Sequence, residues 1–207
     1  MFNRVVVALA VTVAYGLAVS AASFQSVWKS PEVTEVNYAG KKVAALIVSD
    51  DMNLRMSAEE ALARELTALG ANGVAAYRLI PAEELRNEGQ AKGWFERASV
   101  DAVIVMRLVS NRQELTYTPA YWTTSYYGSL WGYYGYAWQS IGTSGYLDLD
   151  RIFTVETLIY RVSNGHLLWA SMSEKTDPKD LQQLVHKLVG DITKEMRKDG
   201  LLARESR

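Results

Sequence analysis

The chain has 207 residues, a formal net charge of −1 at pH 7 and no cysteine. This length is enough to bury the core of one ordinary domain. The lack of cysteine excludes disulfides, thiolate zinc sites and a cysteine nucleophile. Positive and negative residues are interspersed without a basic run, so we expect no nucleic-acid partner.

The amino terminus predicts export from the cytoplasm. Arg4 precedes an uncharged, mostly apolar stretch at residues 5–19, and small residues follow it. This order is typical of a secretory signal peptide. The stretch is shorter than the roughly 20 apolar residues that cross a bilayer, although an uncleaved membrane anchor is the alternative. We therefore predict a signal peptide at residues 1–22 and a periplasmic mature protein.

The regular fold is predicted to begin at Lys41, after an extended leader at residues 23–40. The apolar run at residues 43–48 predicts a strand that is buried on both faces. Ser57 and Glu60 form a capping-box pattern, which predicts the start of a helix, and Gly70 ends it.

The same alternation of strand and helix continues along the chain. It predicts strands at residues 74–80 and 102–106, with helical stretches at 83–85 and 90–98 between them. The order β-α-β-α-β calls for parallel strands joined by helices.

The last third of the chain predicts an antiparallel hairpin and a closing helix. Asn164-Gly165 separates two runs rich in β-branched and aromatic residues, at 152–162 and 167–172. Asn-Gly between such runs is a strong hairpin signal. A one-sided apolar stripe then predicts a helix from Asp177 to Gly200. We expect one α/β domain at residues 41–200, with a mixed sheet covered by helices, and a short tail at residues 201–207.

An aromatic insertion interrupts this domain at residues 115–147, where there is no Asp, Glu, Lys or Arg. Tyrosine and tryptophan combine a large rigid surface with a polar tip, and they dominate interface hot spots. The segment is our candidate contact surface. Its predicted binding residues are Tyr121, Trp122, Tyr126, Tyr127, Trp131, Tyr133, Tyr134, Tyr136 and Trp138.

Three interpretations of this insertion are open. The rings could pack over the sheet as structural cover, or they could meet an envelope protein or stack on the sugar rings of a cell-wall glycan. Alternatively, the segment could form a homo-oligomer or contact the outer membrane peripherally, because uncharged aromatic bands suit a bilayer interface.

Few residues suggest chemistry. His166 and His186 have no second histidine at ligand spacing, so we predict no metal site and no cofactor. Asp50, Asp51 and Arg55 follow the first predicted strand, where open α/β sheets often bind ligands. They are candidates for a hydrolase or transferase site, but helix capping explains the two carboxylates better. We expect no enzyme.

Short motifs along the mature chain resemble a family of small bacterial envelope lipoproteins of unknown function. They include Ser26-Val27-Trp28, Lys42-Val43, Arg55 with Glu59-Glu60, Gly70, Asp101-Ala102, Gly165-x-Leu167-x-Trp169 and Gly200-Leu201. That family is similar in fold to the TolB N-terminal domain and to CsgG-like proteins, so the resemblance implies an α/β sandwich of this kind. It also implies a lipid-bearing cysteine at the mature start, where this chain has Ala22. Together these features predict a non-enzymatic binding or assembly protein of the cell envelope.

Overall fold

The computed structural model describes residues 23–32, 37–109, 126–141, 153–175 and 181–201. The predicted signal peptide at residues 1–22 lies outside these ranges, as do residues 202–207 of the predicted tail. Parts of the aromatic insertion, at residues 115–125 and 142–147, lie outside them as well.

Within the described residues, six strands form one mixed sheet in the order β1-β6-β5-β4-β2-β3. β2 pairs in parallel with β3 and with β4, while β4, β5, β6 and β1 pair antiparallel in succession. The predicted α/β class with a mixed sheet is therefore confirmed. The strands are β1 Ser23–Lys29, β2 Lys42–Val48, β3 Asn72–Ala75, β4 Ala102–Val109, β5 Phe153–Arg161 and β6 Leu167–Lys175.

The four α-helices of the described ranges cover the two faces of the sheet. They are α1 Met52–Ala68, α2 Glu88–Arg97, α3 Leu130–Ser140 and α4 Leu181–Lys198. Buried residues of α1 and α4 share one apolar core with the sheet, and buried residues of α2 and α3 share the other. The two cores explain why β2 and β4 are apolar on both faces, as the sequence predicts for strands between helix layers.

β1 extends the sheet into the segment that the sequence predicts to be a leader, so the prediction that the regular fold begins at Lys41 is wrong. β1 pairs with β6 at the sheet edge, from Ser23 opposite Glu174 to Lys29 opposite Trp169. An edge strand with only one paired side needs no long apolar run, and its sequence signal is correspondingly weak.

Two helix predictions also differ from the structure. α1 begins at Met52, five residues before the predicted Ser57, because Asp51 is the N-cap. Residues 82–86 form turns instead of the predicted helical stretch at 83–85. Pro81 fixes its own backbone angle for a helix start, but here only a turn follows, since the amide of Glu84 donates to the Pro81 carbonyl.

The second predicted strand is shorter than the sequence indicates, because Glu59 of α1 replaces its continuation. β3 ends at Ala75, and the carboxylate of Glu59 accepts the amides of Ile47 at 3.2 Å and Tyr77 at 2.7 Å. Burial raises the pKa of Glu59 to about 7, against the lowering effect of these two hydrogen bonds. The Glu59 side chain thus accepts the hydrogen bonds of two backbone amides at the place where the pairing of β2 with β3 ends.

The predicted β5–β6 hairpin is confirmed, although its turn is longer than the two-residue type. Only Gly165 has a positive φ, of 70°, and its amide donates to the Arg161 carbonyl. The side chain of Asn164 accepts the amide of His166 at 3.0 Å. Asn164 therefore supports the turn through its side chain and not through a left-handed backbone.

Candidate contact surface

The described part of the aromatic insertion forms α3, a helix that the sequence patterns do not predict. Its N-cap is Ser129, whose side chain accepts the amide of Gly132. The amide of Leu130 donates to the carbonyl of Gly165 at 2.8 Å. The start of α3 is therefore fixed to the β5–β6 turn.

Packing, more than intrinsic propensity, stabilises α3. Its two glycines, Gly132 and Gly135, each cost about 1 kcal/mol relative to alanine in a helix interior. Burying one large apolar side chain contributes about 1.5–3 kcal/mol, so several such residues outweigh that cost. The buried side of α3 consists of Leu130, Tyr133, Tyr134, Ala137 and Trp138.

The hydroxyl groups of buried tyrosines have partners on neighbouring elements. Tyr134 donates to the carbonyl of Leu85, and Tyr160 donates to the carbonyl of Tyr127 at 2.8 Å. Burial raises the pKa of Tyr134 and of Tyr160 above the ordinary tyrosine value. These hydroxyls therefore stay protonated at neutral pH and act as donors that orient the rings.

A buried ion pair lies under the carboxyl-terminal end of α3. Arg107 and Glu156 face each other across β4 and β5, and the Arg107 Nε donates to the Glu156 Oε2 at 3.1 Å. Tyr133 of α3 donates its hydroxyl to the same oxygen at 2.6 Å. The Arg107 Nη1 donates to the Ser140 hydroxyl at 2.7 Å, and its guanidinium carbon lies 5.0 Å from the Tyr136 ring centroid. One ion pair thus joins two strands to α3.

Burial and polar neighbours have opposite effects on the carboxyl group of Glu156. Burial raises the pKa of Glu156, while Arg107 and the side chains of Tyr127 and Tyr133 oppose the rise. Within the described ranges, the Glu156 Oε1 and the Arg107 Nη2 have no hydrogen-bond partner. The pair is thus part of the interior, since the Glu156 side chain is fully buried.

The nine predicted contact residues fall into three groups. The first two, Tyr121 and Trp122, lie outside the described residues. Four are buried on the sheet side of α3 and its preceding turn, and three are partly exposed. The four buried residues can affect a partner only by positioning the partly exposed residues. Binding by this segment therefore stays a prediction that rests on the three partly exposed residues. The buried residues are Tyr127, Tyr133, Tyr134 and Trp138, and the partly exposed ones are Tyr126, Trp131 and Tyr136.

The outward side of α3 carries no charge and little side-chain bulk. Gly132 and Gln139 are exposed and Gly135 is partly exposed. On one flank, Trp131 lies between α3 and α2, with its ring centroid 6.4 Å from that of Phe95. On the other flank, the rings of Tyr126 and Tyr136 stack at 3.9 Å between centroids. We call these six residues, Tyr126, Trp131, Gly132, Gly135, Tyr136 and Gln139, the outer face of α3.

Residues of α2 border this face, and sequence reasoning did not single them out. The Lys92 Nζ lies 5.8 Å from the Trp131 ring centroid, and the Arg97 guanidinium lies 4.2 Å from the ring of Trp94. Trp94 also donates its Nε1 hydrogen to Glu84 at 2.6 Å. Cations over tryptophan faces are favourable contacts. Lys92 and Trp131 are far apart in sequence, which hides their contact from pattern analysis, whereas Arg97 and Trp94 are close neighbours on α2.

The residues proposed for an enzyme site have separate partners. Asp51 caps α1 by accepting the amides of Asn53 and Leu54 at 2.9 and 3.1 Å. Asp50 forms an exposed ion pair with Arg86. Arg55 is buried, and its Nη1 has no hydrogen-bond partner among the described residues. Capping by Asp51 agrees with the sequence interpretation, and the three side chains do not form one polar cluster.

The described residues contain no cluster of three or more His, Asp or Glu side chains that could hold a metal ion. His166 is exposed, with its Nδ1 3.4 Å from the Glu32 Oε1. The side chain of His186 lies outside the described part of the chain. Within the described ranges, no helix is both long and apolar enough to cross a membrane.

No protein-family model and no curated protein matches the chain, whereas several solved structures do. The PelC dodecamer from Paraburkholderia phytofirmans is 15% identical, covers 89% of this chain and 99% of its own, and has a TM-score of 0.47. A variant of the same PelC is 15% identical over 88% of this chain and 99% of its own, with a TM-score of 0.49. The lipoprotein GNA1162 from Neisseria meningitidis is 13% identical over 76% of this chain and 96% of its own, with a TM-score of 0.36.

Values this low transfer neither a function nor an assembly to this chain. The resemblance to the TolB N-terminal domain and to CsgG-like proteins stays a prediction. The chain is thus a mixed α/β protein that is distantly similar to PelC and to a bacterial lipoprotein.

Proposed function

We propose that this chain is a periplasmic cell-envelope protein that works by binding or assembly and not by catalysis, with the outer face of α3 as its contact surface. One observation carries the proposal. A helix without a single charged residue lies against the sheet, and its outward side presents only glycine, glutamine and partly exposed aromatic rings. Solvent-facing helix sides are ordinarily polar and charged.

The physics of binding favours such a face. The helix itself carries no charge, so a partner that covers it desolvates charged groups only at the border, where Lys92 lies beside Trp131. The buried tyrosines and the Arg107–Glu156 pair hold α3 in place before any partner arrives, which lowers the ordering cost of association. Trp131 and Tyr136 provide the aromatic surface that contributes most at interface hot spots.

The ring contacts favour a protein partner over a glycan. Gly132 and Gly135 do not expose free backbone, because a Cβ at Gly132 would lie 3.3 Å from the Tyr126 carbonyl oxygen and one at Gly135 would lie 3.6 Å from the Glu88 carboxylate. Glycan stacking needs a free ring face, but the Tyr136 ring stacks on Tyr126 and lies beside Arg107. A second copy of this chain is one such protein partner, since an uncharged helix face can pair with itself.

The experiment places a charge on the outer face without touching the core. Gln139→Glu adds one negative charge at an exposed position of α3, and Asn53→Glu adds the same charge at an exposed position of α1, across the sheet. Trp131→Ala removes the largest partly exposed ring. Each purified protein, after a thermal melt that confirms folding, is used for capture from envelope extract and for light scattering.

We expect Gln139→Glu and Trp131→Ala to lose at least tenfold in captured partner or in self-association, because a desolvated charge or a missing anchor ring costs about 1.4 kcal/mol or more. Asn53→Glu should behave like the unmodified protein. Equal capture and equal mass for all four proteins would refute the outer face of α3 as the contact surface.

A further inference from the structure

A second surface feature lies at the other end of β4 from Arg107, where β2 and β4 begin. It is a cleft of about 520 Å³, a volume within the range of about 300–1,000 Å³ of small-molecule sites. Six of its lining residues matter here: Tyr38, Lys41, Glu96, Ser99, Asp101 and Arg161. We call it the Tyr38 cleft.

The hydroxyl of Tyr38 is buried without a hydrogen-bond partner in the part of the chain that the structure describes. The residue is 4% exposed, and among the described residues no group forms a hydrogen bond with its hydroxyl oxygen. Burial raises the pKa of Tyr38, while the charges of Arg161 and Asp101 act on it in opposite directions. A buried hydroxyl without a partner destabilises a fold, and a polar ligand in the cleft would complete the missing bond.

Ser99 adds a second unusual feature at the rim of the cleft. It follows α2 with a φ of 52°, and it is the one residue other than glycine with a positive φ in the described ranges. The corresponding positions after α1 and α4 are Gly70 and Gly200. Glycine adopts this conformation without strain, so serine here lowers stability while placing a hydroxyl-bearing side chain at the cleft.

The charges of the cleft are balanced and of both signs. Lys41 and Arg161 provide cations, and Glu96 and Asp101 provide carboxylates. Lys41 and Asp101 are 3.9 Å apart and both solvent-exposed, so this pair is weak and a ligand can rearrange it. The Arg161 Nη1 contacts the exposed Glu32 at 2.9 Å, which is also a replaceable contact.

A ligand with a single charge would leave either the cations or the carboxylates of the cleft without an opposite charge. The Lys42 Nζ already donates to the Ala98 carbonyl at the carboxyl-terminal end of α2, at 2.7 Å, so the carboxylates of Glu96 and Asp101 are the groups left to attract the ammonium group of a ligand. We propose that the Tyr38 cleft binds a small zwitterion, an amino acid or a dipeptide. Its ammonium group faces Glu96 and Asp101, and its carboxylate faces Arg161 and the Tyr38 hydroxyl.

The test is an amide NMR titration of the mature protein with glycylglycine. Two blocked forms serve as controls: N-acetylglycylglycine keeps only the negative charge, and glycylglycinamide keeps only the positive charge. We expect saturable shifts at the amides of Ser99, Asp101 and Ser163, with binding at least tenfold weaker for each blocked form. Equal binding of all three compounds, or no saturable shift at these amides, would overturn the proposal.

Two conservative variants separate binding from folding. Tyr38→Phe removes only the unpartnered hydroxyl, and it should raise the melting temperature while weakening glycylglycine binding about fivefold or more. Ser99→Gly should raise the melting temperature and still weaken binding. Gln139→Glu, on the outer face of α3, should bind glycylglycine like the unmodified protein. If Tyr38→Phe and Ser99→Gly both bind as tightly as the unmodified protein, the cleft is not the site.

Discussion

Breaking the Arg107–Glu156 pair from one side should cost more stability than removing it altogether. Arg107→Met leaves a carboxylate that is fully buried between β5 and α3, and Glu156→Met leaves a guanidinium that is 5% exposed. Removing one partner of a buried ion pair costs about 3–5 kcal/mol, because the remaining charge is left in a poorly solvating environment.

The double variant, Arg107→Met with Glu156→Met, contains no buried charge at this place. Its main defect is the Tyr133 hydroxyl, which loses its 2.6 Å acceptor. One unsatisfied buried hydroxyl costs about 1–3 kcal/mol, so the double variant should be less destabilised than either single one. Adding Tyr133→Phe removes the unpaired hydroxyl and should recover part of the remainder.

Urea unfolding followed by far-ultraviolet circular dichroism measures these free energies, and the near-ultraviolet spectrum reports the packing of the rings around α3. The exposed pair Lys198–Glu195 is the control. Replacing each of its residues singly and then both together should give a coupling free energy below about 1 kcal/mol. The reasoning is refuted if Arg107→Met costs less than about 1 kcal/mol, or if the double variant costs the sum of the single ones.

Three further predictions concern pH, packing and export. The pKa of Glu59 is raised from an ordinary 4.5 to about 7, which means that the folded state binds the carboxyl proton more tightly than the unfolded chain does. The stability that this bound proton contributes is complete below pH 4.5 and is lost as the pH rises through 7. Urea unfolding should therefore show up to about 3 kcal/mol less stability from this group at neutral pH, and Glu59→Gln should flatten the dependence; an unchanged slope contradicts the assignment. Gly73→Ala places a Cβ atom 2.1 Å from the Ala63 carbonyl oxygen and should lower the free energy of unfolding by about 3 kcal/mol. Gly190→Ala has no atom within 4 Å of the new Cβ and should raise stability by about 0.5–1 kcal/mol in thermal melts. Equal effects of the two substitutions would contradict this packing. The intact mass of the exported protein should correspond to a chain without residues 1–22, and a full-length mass in the membrane fraction would indicate an anchor instead.

The sequence patterns that predicted the fold correctly are those set by burial on both faces. β2 and β4 lie between two helix layers, so every side chain along most of their length is apolar, and the signal does not depend on neighbours. The β5–β6 turn was equally predictable, because Gly165 needs a positive φ that other residues rarely adopt. Burial and backbone conformation restrict which residue types can stand at a given position, so their effects are visible in the local sequence.

β1 and α3 were not predictable by the same means, because their stability comes from contacts distant in sequence. β1 is an edge strand that depends on pairing with β6, some 145 residues away by its register, such as Lys29 opposite Trp169. α3 has glycine at two of its eleven positions, and its helical form depends on tyrosine contacts to Leu85 and Glu156. Isolated segments with such propensities do not form helices of this length.

The candidate site was predictable in composition but not in orientation. A charge-free aromatic run marks the segment, yet only the fold separates inward rings such as Tyr133 from outward positions such as Gln139. The Tyr38 cleft was not predictable, because its lining comes from three separate parts of the chain, at residues 37–41, 96–101 and 161–163, which the sheet brings together. Each of them alone, for example Asp101 before β4, is typical of an ordinary loop.

The β5–β6 turn connects the two proposed surfaces. Ser163, on one side of this turn, lines the Tyr38 cleft, and Gly165, two residues later, accepts the amide of Leu130 at the start of α3. A substitution at Gly165 would therefore disturb both surfaces through the positive φ of this residue, which side-chain-bearing residues rarely adopt. Gln139 and Tyr38, in contrast, each affect one surface and leave this turn intact. Independent loss of partner capture and of zwitterion binding at these two positions would mean that one rigid turn supports two separable functions.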